Sequence, residues 1–321
     1  MSQTNVRKNE FKQLCTMIER NIHQVMVGKD EAIEMLLIAL ASGGHVLIED
    51  VPGIGKTTLV SALAKSLDLS FNRIQFTPDL MPSDVTGFNM FNQQTGVFEF
   101  QPGAVMSQIV LADEINRTSP KTQSALLEVM QENQVTVDGV TYTLPQPFMV
   151  MATQNPVEHL GTYPLPEAQL DRFMLKISLG YPSLEEEMKI LDLTEDSTVT
   201  ALDVIRPIAH ANDILWMRKQ AAKVHVADSI KRYIAEIASA TRMIPDVQLG
   251  ASPRASSMLL QAAKGKALLS NRDFVRPQDV QSLVVPVFAH RLALKPESKL
   301  KNITPEDILI SVLKRTPVPE R

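Results

Sequence analysis

The run His45-Val46-Leu47-Ile48-Glu49-Asp50-Val51-Pro52-Gly53-Ile54-Gly55-Lys56-Thr57-Thr58 constrains this 321-residue chain more than any other. Val46, Leu47 and Ile48 predict a short buried strand. Pro52, Gly53 and Gly55 predict a loop, and Lys56 to Ala64 repeats apolar residues at helical spacing. Strand, glycine loop and a helix opening on Gly-Lys-Thr form the setting that makes a phosphate-binding P-loop specific. Glycines let backbone amides close around phosphate oxygens, and the helix N-terminus adds the positive end of its dipole. On this reading Gly53, Ile54, Gly55 and Thr58 cradle ATP, Lys56 reaches its β- and γ-phosphates, and Thr57 ligates Mg²⁺. The usual pattern begins with Gly, whereas Asp50 stands here. A carboxylate facing phosphates opposes binding, so Asp50 either points away or weakens the site.

Such a loop needs a parallel sheet behind it. Phe71–Phe76, Gln108–Leu111, Phe148–Thr153 and Met174–Ser178 read as further strands, alternating with helical patterns. The strand ending Leu111-Ala112-Asp113-Glu114 finishes in two carboxylates, the Walker B arrangement. Asp113 is placed to hold Mg²⁺ and Glu114 to polarise the attacking water. Asn155 follows another strand, either as a γ-phosphate contact or as a turn-former before Pro156. Arg172 precedes the last strand, either as a surface arginine or as one that reaches a neighbouring subunit's phosphate in a ring.

Strand signals stop at Tyr181-Pro182-Ser183, which predicts an α/β domain over 1–182 and a helical domain over 183–321. Ser183 with Glu186 predicts a capping box. Asn212 or Asp213, and Asp228, predict two further helix starts, and Ser252-Pro253 opens another. Arg254 then falls in a first turn, where a cation opposes the dipole, which favours an outside anionic partner. Ahead of the P-loop, residues up to about 8 read as frayed. Helices over Phe11–Met26 and Glu31–Ala41 flank the turn Val27-Gly28-Lys29.

Net charge is −4, so no basic field announces nucleic acid. The single cysteine, Cys15, reads as a core residue in a reducing cytoplasm. The six histidines show no metal-ligand spacing, and no apolar run is long enough for a membrane span. Phe88, Phe91, Phe98 and Phe100 place four of eleven phenylalanines in thirteen positions. They flank the turn Asn92–Gly96, which predicts a hairpin with Phe98 and Phe100 together and Phe88 and Met90 facing them. Its aromatics either pack on one another or grip a partner. A second hairpin is predicted around Asp138-Gly139.

Gly53–Thr57, Asp113–Arg117, Lys121–Glu128, Ala152–Pro156 and Leu170–Phe173 together resemble the motifs of the MoxR family of AAA+ ATPases. The resemblance spans residues 11 to about 315. It implies a P-loop AAA+ core with a parallel sheet, followed by a small all-helical lid. It implies adenine against Val27 and Gly28, Asn155 as sensor 1, Arg172 as arginine finger and Arg254 as sensor 2. Residues 84–101 resemble the helix-2 insert of this clade, and 134–146 its pre-sensor-1 hairpin. Such proteins form rings, often hexamers, and resemble chaperones acting with von Willebrand factor A-domain partners. An ATP-driven remodeller of proteins is therefore expected. A nucleotide-dependent switch or scaffold, or a DNA translocase, are the alternatives. Neither the insert nor the hairpin carries Lys or Arg, which tells against DNA.

Overall fold

The computed structural model describes residues 3–155, 161–195 and 201–319. Pro156 of the Ala152–Pro156 motif lies outside them, as do Met1, Ser2 and the end of the tail, Glu320 and Arg321. Two helices lead in, α1 (Gln3–Ile22) and α2 (Asp30–Ser42). Helix α1 begins at Gln3, so the segment expected to fray is already helical. Strand β1 (Val46–Glu49) runs into α3 (Lys56–Ser66), and β2 (Phe71–Gln75) follows. A short α4 (Pro82–Thr86) opens the hairpin β3 (Gly87–Asn92) and β4 (Val97–Pro102). Then come β5 (Ile109–Asp113), α5 (Pro120–Glu132), the hairpin β6 (Gln134–Val137) and β7 (Val140–Thr143), and β8 (Met149–Gln154). A short α6 (Glu167–Leu170) precedes β9 (Leu175–Ile177).

Five strands form one parallel sheet in the order β2-β5-β8-β1-β9. Its central strands are buried on both faces, so they read as unbroken apolar runs. Val46, Ile48, Ile109, Leu111, Met149 and Met151 join a core shared with α1, α2, α3 and the later helices. Leu47, Val110, Ala112, Val150 and Ala152 face the opposite way, against α5 and the hairpins. His45 sits at the foot of β1, where its Nδ1 accepts from Val150 N and its Nε2 donates to Met130 O. Burial pushes its pKa down to about 4, so it is a neutral strut between β8 and α5. Cys15 is buried, and burial with the nearby Glu19 pushes its thiol up to about 12, which makes it inert packing.

Beyond β9 the chain is mostly helical: α7 (Leu184–Glu195), α8 (Ala211–Ala222), α9 (Asp228–Arg242), α10 (Pro253–Leu269), α11 (Pro277–Phe288), α12 (Pro296–Leu300) and α13 (Pro305–Arg315). One small antiparallel pair, β10 (Val247–Leu249) with β11 (Ala293–Leu294), interrupts them. The Ser183/Glu186 box forms in both directions. Ser252 caps α10 by accepting from Ala255 N. Two expected caps shift. Helix α8 starts at Ala211 because Asp213 reaches back to accept from His210 N. Asp228 is the first residue of α9 and pairs instead with Lys231, 2.8 Å away.

Candidate functional site

Parallel strands bring their C-terminal ends to one edge. Glu49 lies beside Gln154 and Gln75 beside Asp113 in the sheet register, so β1, β2, β5 and β8 end together. The glycine loop leaves that edge. Gly53 and Gly55 have φ of 85° and 88°, a conformation that strains any residue with a Cβ. Lys56 donates its ammonium to Asp50 O at 2.9 Å, and Thr57 and Thr58 follow it in the first turn of α3. Ile54 packs on the core behind the loop.

Asp50 points away from the loop, which decides between the two readings of its carboxylate. It is buried and accepts from Ser178 Oγ at 2.8 Å, Leu179 N, and Gly180 N at 3.3 Å. The carboxylate thus pins the end of β9 to the end of β1. Asp50→Ala is expected to strand the buried Leu179 amide and to cost about 1–3 kcal/mol. The urea midpoint would read this, and an unchanged midpoint would contradict it.

The turn after α1 closes against the loop. A Cβ on Gly55 would lie 3.3 Å from Met26 Cε. A Cβ on Gly28 would lie 1.7 Å from Glu186 Oε1, so α7 covers the Val27-Gly28 turn. Lys29 Nζ donates to Gly180 O at 3.1 Å and Tyr181 O at 3.2 Å. Val27 and Gly28 therefore sit between the loop and the segment leaving β9. Within this region Glu19, His23 and Asp30 bring three ligand atoms within 4.8 Å of one another. His23 Nε2 and the largely exposed Asp30 Oδ1 already lie 3.0 Å apart, a contact that needs no metal.

The acidic pair ends β5. Asp113 is buried; its Oδ1 accepts from Thr153 Oγ1 at 2.6 Å and its Oδ2 from Arg73 Nη2 at 2.6 Å. Glu114 has φ 57°, ψ 49°, a left-handed backbone that costs on the order of 1–3 kcal/mol outside glycine. Thr153 Oγ1 fixes it there by accepting from Glu114 N at 2.8 Å. The Glu114 carboxylate is held by Gln75 Nε2 at 2.8 Å and Arg117 Nε at 3.2 Å. Asn155 is buried just beyond β8, at the same edge. Thr153, Arg73 and Gln75 were not singled out from the sequence. Their only signal is polar residues at a strand end, and it becomes meaningful once β2 and β8 are known to flank β5.

Arg172 and Arg254 are not brought to this edge. Arg172 precedes β9, whose first residue, Leu175, lies beside Val46 at the start of β1. A four-residue strand, roughly 13 Å at about 3.3 Å per residue, separates it from the loop. Arg172 donates to Leu127 O of α5, while its buried Nε has no hydrogen-bond partner among the described residues. Asp171 accepts from Ser252 Oγ at 3.2 Å and from Arg291 Nε at 2.8 Å. Ser252 caps α10, so exposed Arg254 lies in the first turn of the helix whose cap bonds Asp171. Arg291 is only 3% exposed and also donates to Phe173 O, so it fastens the helical part to the foot of the sheet.

The insert hairpin has a different face pattern from that expected. Phe91 pairs with Phe98 and Asn89 with Phe100, so these share one face, with Phe91 and Phe98 rings 5.3 Å apart. Met90 pairs with Glu99 and Phe88 with Gln101, which puts Phe88 and Met90 on the other face. In an antiparallel pair directly opposed residues share a side, and so does every second residue along each strand. Phe100 is half-buried and stacks on Tyr142 of β7 at 3.9 Å. Phe98 is 70% exposed, and Phe88, Met90 and Phe91 are exposed too.

Comparison with known proteins agrees with this geometry. The profile of the ATPase family associated with various cellular activities (AAA) matches residues 45–175, and that of the AAA lid domain matches 239–311. Chaperone MoxR1 of Mycobacterium tuberculosis is 42% identical over 93% of this chain and 81% of its own. Protein MoxR of Methylorubrum extorquens is 31% identical over 97% and 96%. The chain belongs to the MoxR family of AAA+ ATPases. A candidate ATPase of Cytophaga hutchinsonii, known from its crystal structure, superposes with a TM-score of 0.90 at 40% identity, over 98% of this chain and 97% of that one. MoxR-family membership accounts for the P-loop, the acidic pair and the helical lid as parts of one architecture. Among the described residues, no helix is long and apolar enough to cross a membrane.

Proposed function

We propose that this MoxR-family chain hydrolyses ATP with Mg²⁺ in a ring and uses the cycle to remodel a partner protein. One observation carries the reading. The loop, the acidic pair and Asn155 share one edge of the sheet, while Arg172 lies toward the other, where the cap of the helix carrying Arg254 bonds Asp171. Such a subunit completes its site by head-to-tail association, a kind of contact that closes into a ring where the rotation between neighbours closes. Both arginines then act on a neighbour's nucleotide. A hexamer is the ring size we propose.

The residues fit Mg²⁺, since Asp113 already faces a cation, the guanidinium of Arg73. Thr57 and Asp113 would hold the ion, which would neutralise developing phosphate charge. Lys56 would leave Asp50 O for the phosphates. Glu114 would orient the water and take its proton as oxygen attacks the γ-phosphorus, with ADP leaving. Asn155 would position that water. Val27 and Gly28 would border the adenine.

The insert supports a protein partner, of the von Willebrand factor A-domain class that the family resemblance implies. It exposes aromatics on both faces and carries no cation for a phosphate backbone. Phe91→Ala or Phe98→Ala is expected to keep basal turnover within a few-fold and to abolish partner-stimulated turnover. Salt-sensitive DNA binding that stimulates hydrolysis, unaffected by these variants, would refute the reading. A melting curve separates lost grip from lost packing.

A further inference from the structure

Arg73 lies on β2, the edge strand beside β5. Its Nη2 and Nε both donate to Asp113 Oδ2, at 2.6 and 3.2 Å. Thr153 already occupies Oδ1. Oδ2 is therefore the oxygen through which Asp113 would meet the Mg²⁺ shell, and a guanidinium is on it. Arg73 Nη2 also donates to Gln75 Oε1 at 3.2 Å, and Gln75 in turn holds Glu114. One arginine thus caps the metal-facing acid and, through Gln75, leans on the acid assigned to the water.

We propose that Arg73 is an internal counter-ion that competes with Mg²⁺ for Asp113, so that the loaded site forms only when the Arg73–Asp113 pair opens. The inference rests on the reading of this edge as a Mg²⁺–ATP site. Two cations cannot share one carboxylate oxygen without strong repulsion. The Arg73 side chain is 47% exposed, so it has room to swing away from the edge. Until Arg73 swings away, the buried Asp113 keeps this pairing. The cost of that pairing is paid by a higher Mg²⁺ requirement. For a part-exposed pair the cost is modest, about three- to fivefold in the Mg²⁺ midpoint.

The test is binding of a fluorescent ATP analogue to the full chain during Mg²⁺ titration from a chelated start. Arg73→Met is expected to lower the Mg²⁺ midpoint by about three- to fivefold, with affinity at saturating Mg²⁺ changed less than about twofold. Arg73→Lys keeps the charge and is expected to titrate close to the parent. A folded Arg73→Met protein with an unchanged or raised midpoint would overturn the proposal. If Arg73→Met melts early, Arg73→Gln replaces it under the same criterion. Lys56→Ala separates the two levels of the argument. Parent-like binding by Lys56→Ala would defeat the nucleotide-site reading itself, whatever Arg73 does.

Discussion

Glu114→Gln is expected to lower ATP turnover by about two to four orders of magnitude, the size of a general-base effect, while leaving nucleotide binding intact. The substitution keeps the side chain's length and an oxygen for Gln75 Nε2, which donates to Glu114 Oε2 at 2.8 Å. It removes the negative charge that accepts a proton and pairs with Arg117 at 3.2 Å. The backbone should not move, because Thr153 Oγ1 fixes Glu114 N independently of the carboxylate. The nearest alternative base, Asp113, is already committed to Thr153 and Arg73. Lys56→Ala should behave oppositely and lose binding, since its ammonium is the loop's own cation. Nucleotide titration and steady-state turnover on both variants check this. Near-normal turnover in Glu114→Gln would remove Glu114 from the chemistry. The same variant, held with ATP, is the one to use for capturing the partner.

Much of this edge was legible because loop, strand and helix are contiguous in the chain. Gly53, Gly55, Lys56 and Thr57 need only local geometry, and the apolar runs before Asp113 and Asn155 announce buried strands. The hairpins were legible for the same reason. Facing across a hairpin was not. It depends on register, and register moved Phe88 and Met90 to the side away from Phe98. Contacts between distant segments were also out of reach. Asp50 looked hazardous beside a phosphate site, yet its partners Ser178, Leu179 and Gly180 follow β9, adjacent to β1 in the sheet but 128 to 130 residues later in the chain. Arg73 and Gln75 look like ordinary polar residues on an edge strand until β2 is laid against β5. Arg291, deep between Asp171 and the last helices, has no local signature at all.

The placement of Arg172 leads to the second large effect. In one chain it stands a strand's length from the loop, so loss of its charge should be felt in a neighbour's site. Arginine fingers elsewhere contribute roughly 10³ to 10⁵ in rate, and Arg172→Ala is expected to lose activity on that scale with binding retained. The decisive experiment mixes two inactive proteins. Arg172→Ala subunits keep a working pocket but offer no finger. Lys56→Ala subunits offer a finger but have a dead pocket. Activity should return in mixed rings wherever an intact pocket meets an intact finger. Arg172 also packs against Leu127 O, so lost packing must be separated from lost charge. Arg172→Lys serves that purpose: it keeps the charge but not the planar fork, and should remain folded yet far below the parent in rate. Arg254→Ala gives an independent check, because Ser252 ties the start of its helix to Asp171, the residue before Arg172. It should be rescued by Lys56→Ala subunits in the same way. Mixed rings that form but stay inactive would show that both arginines act within their own subunit or only support the fold.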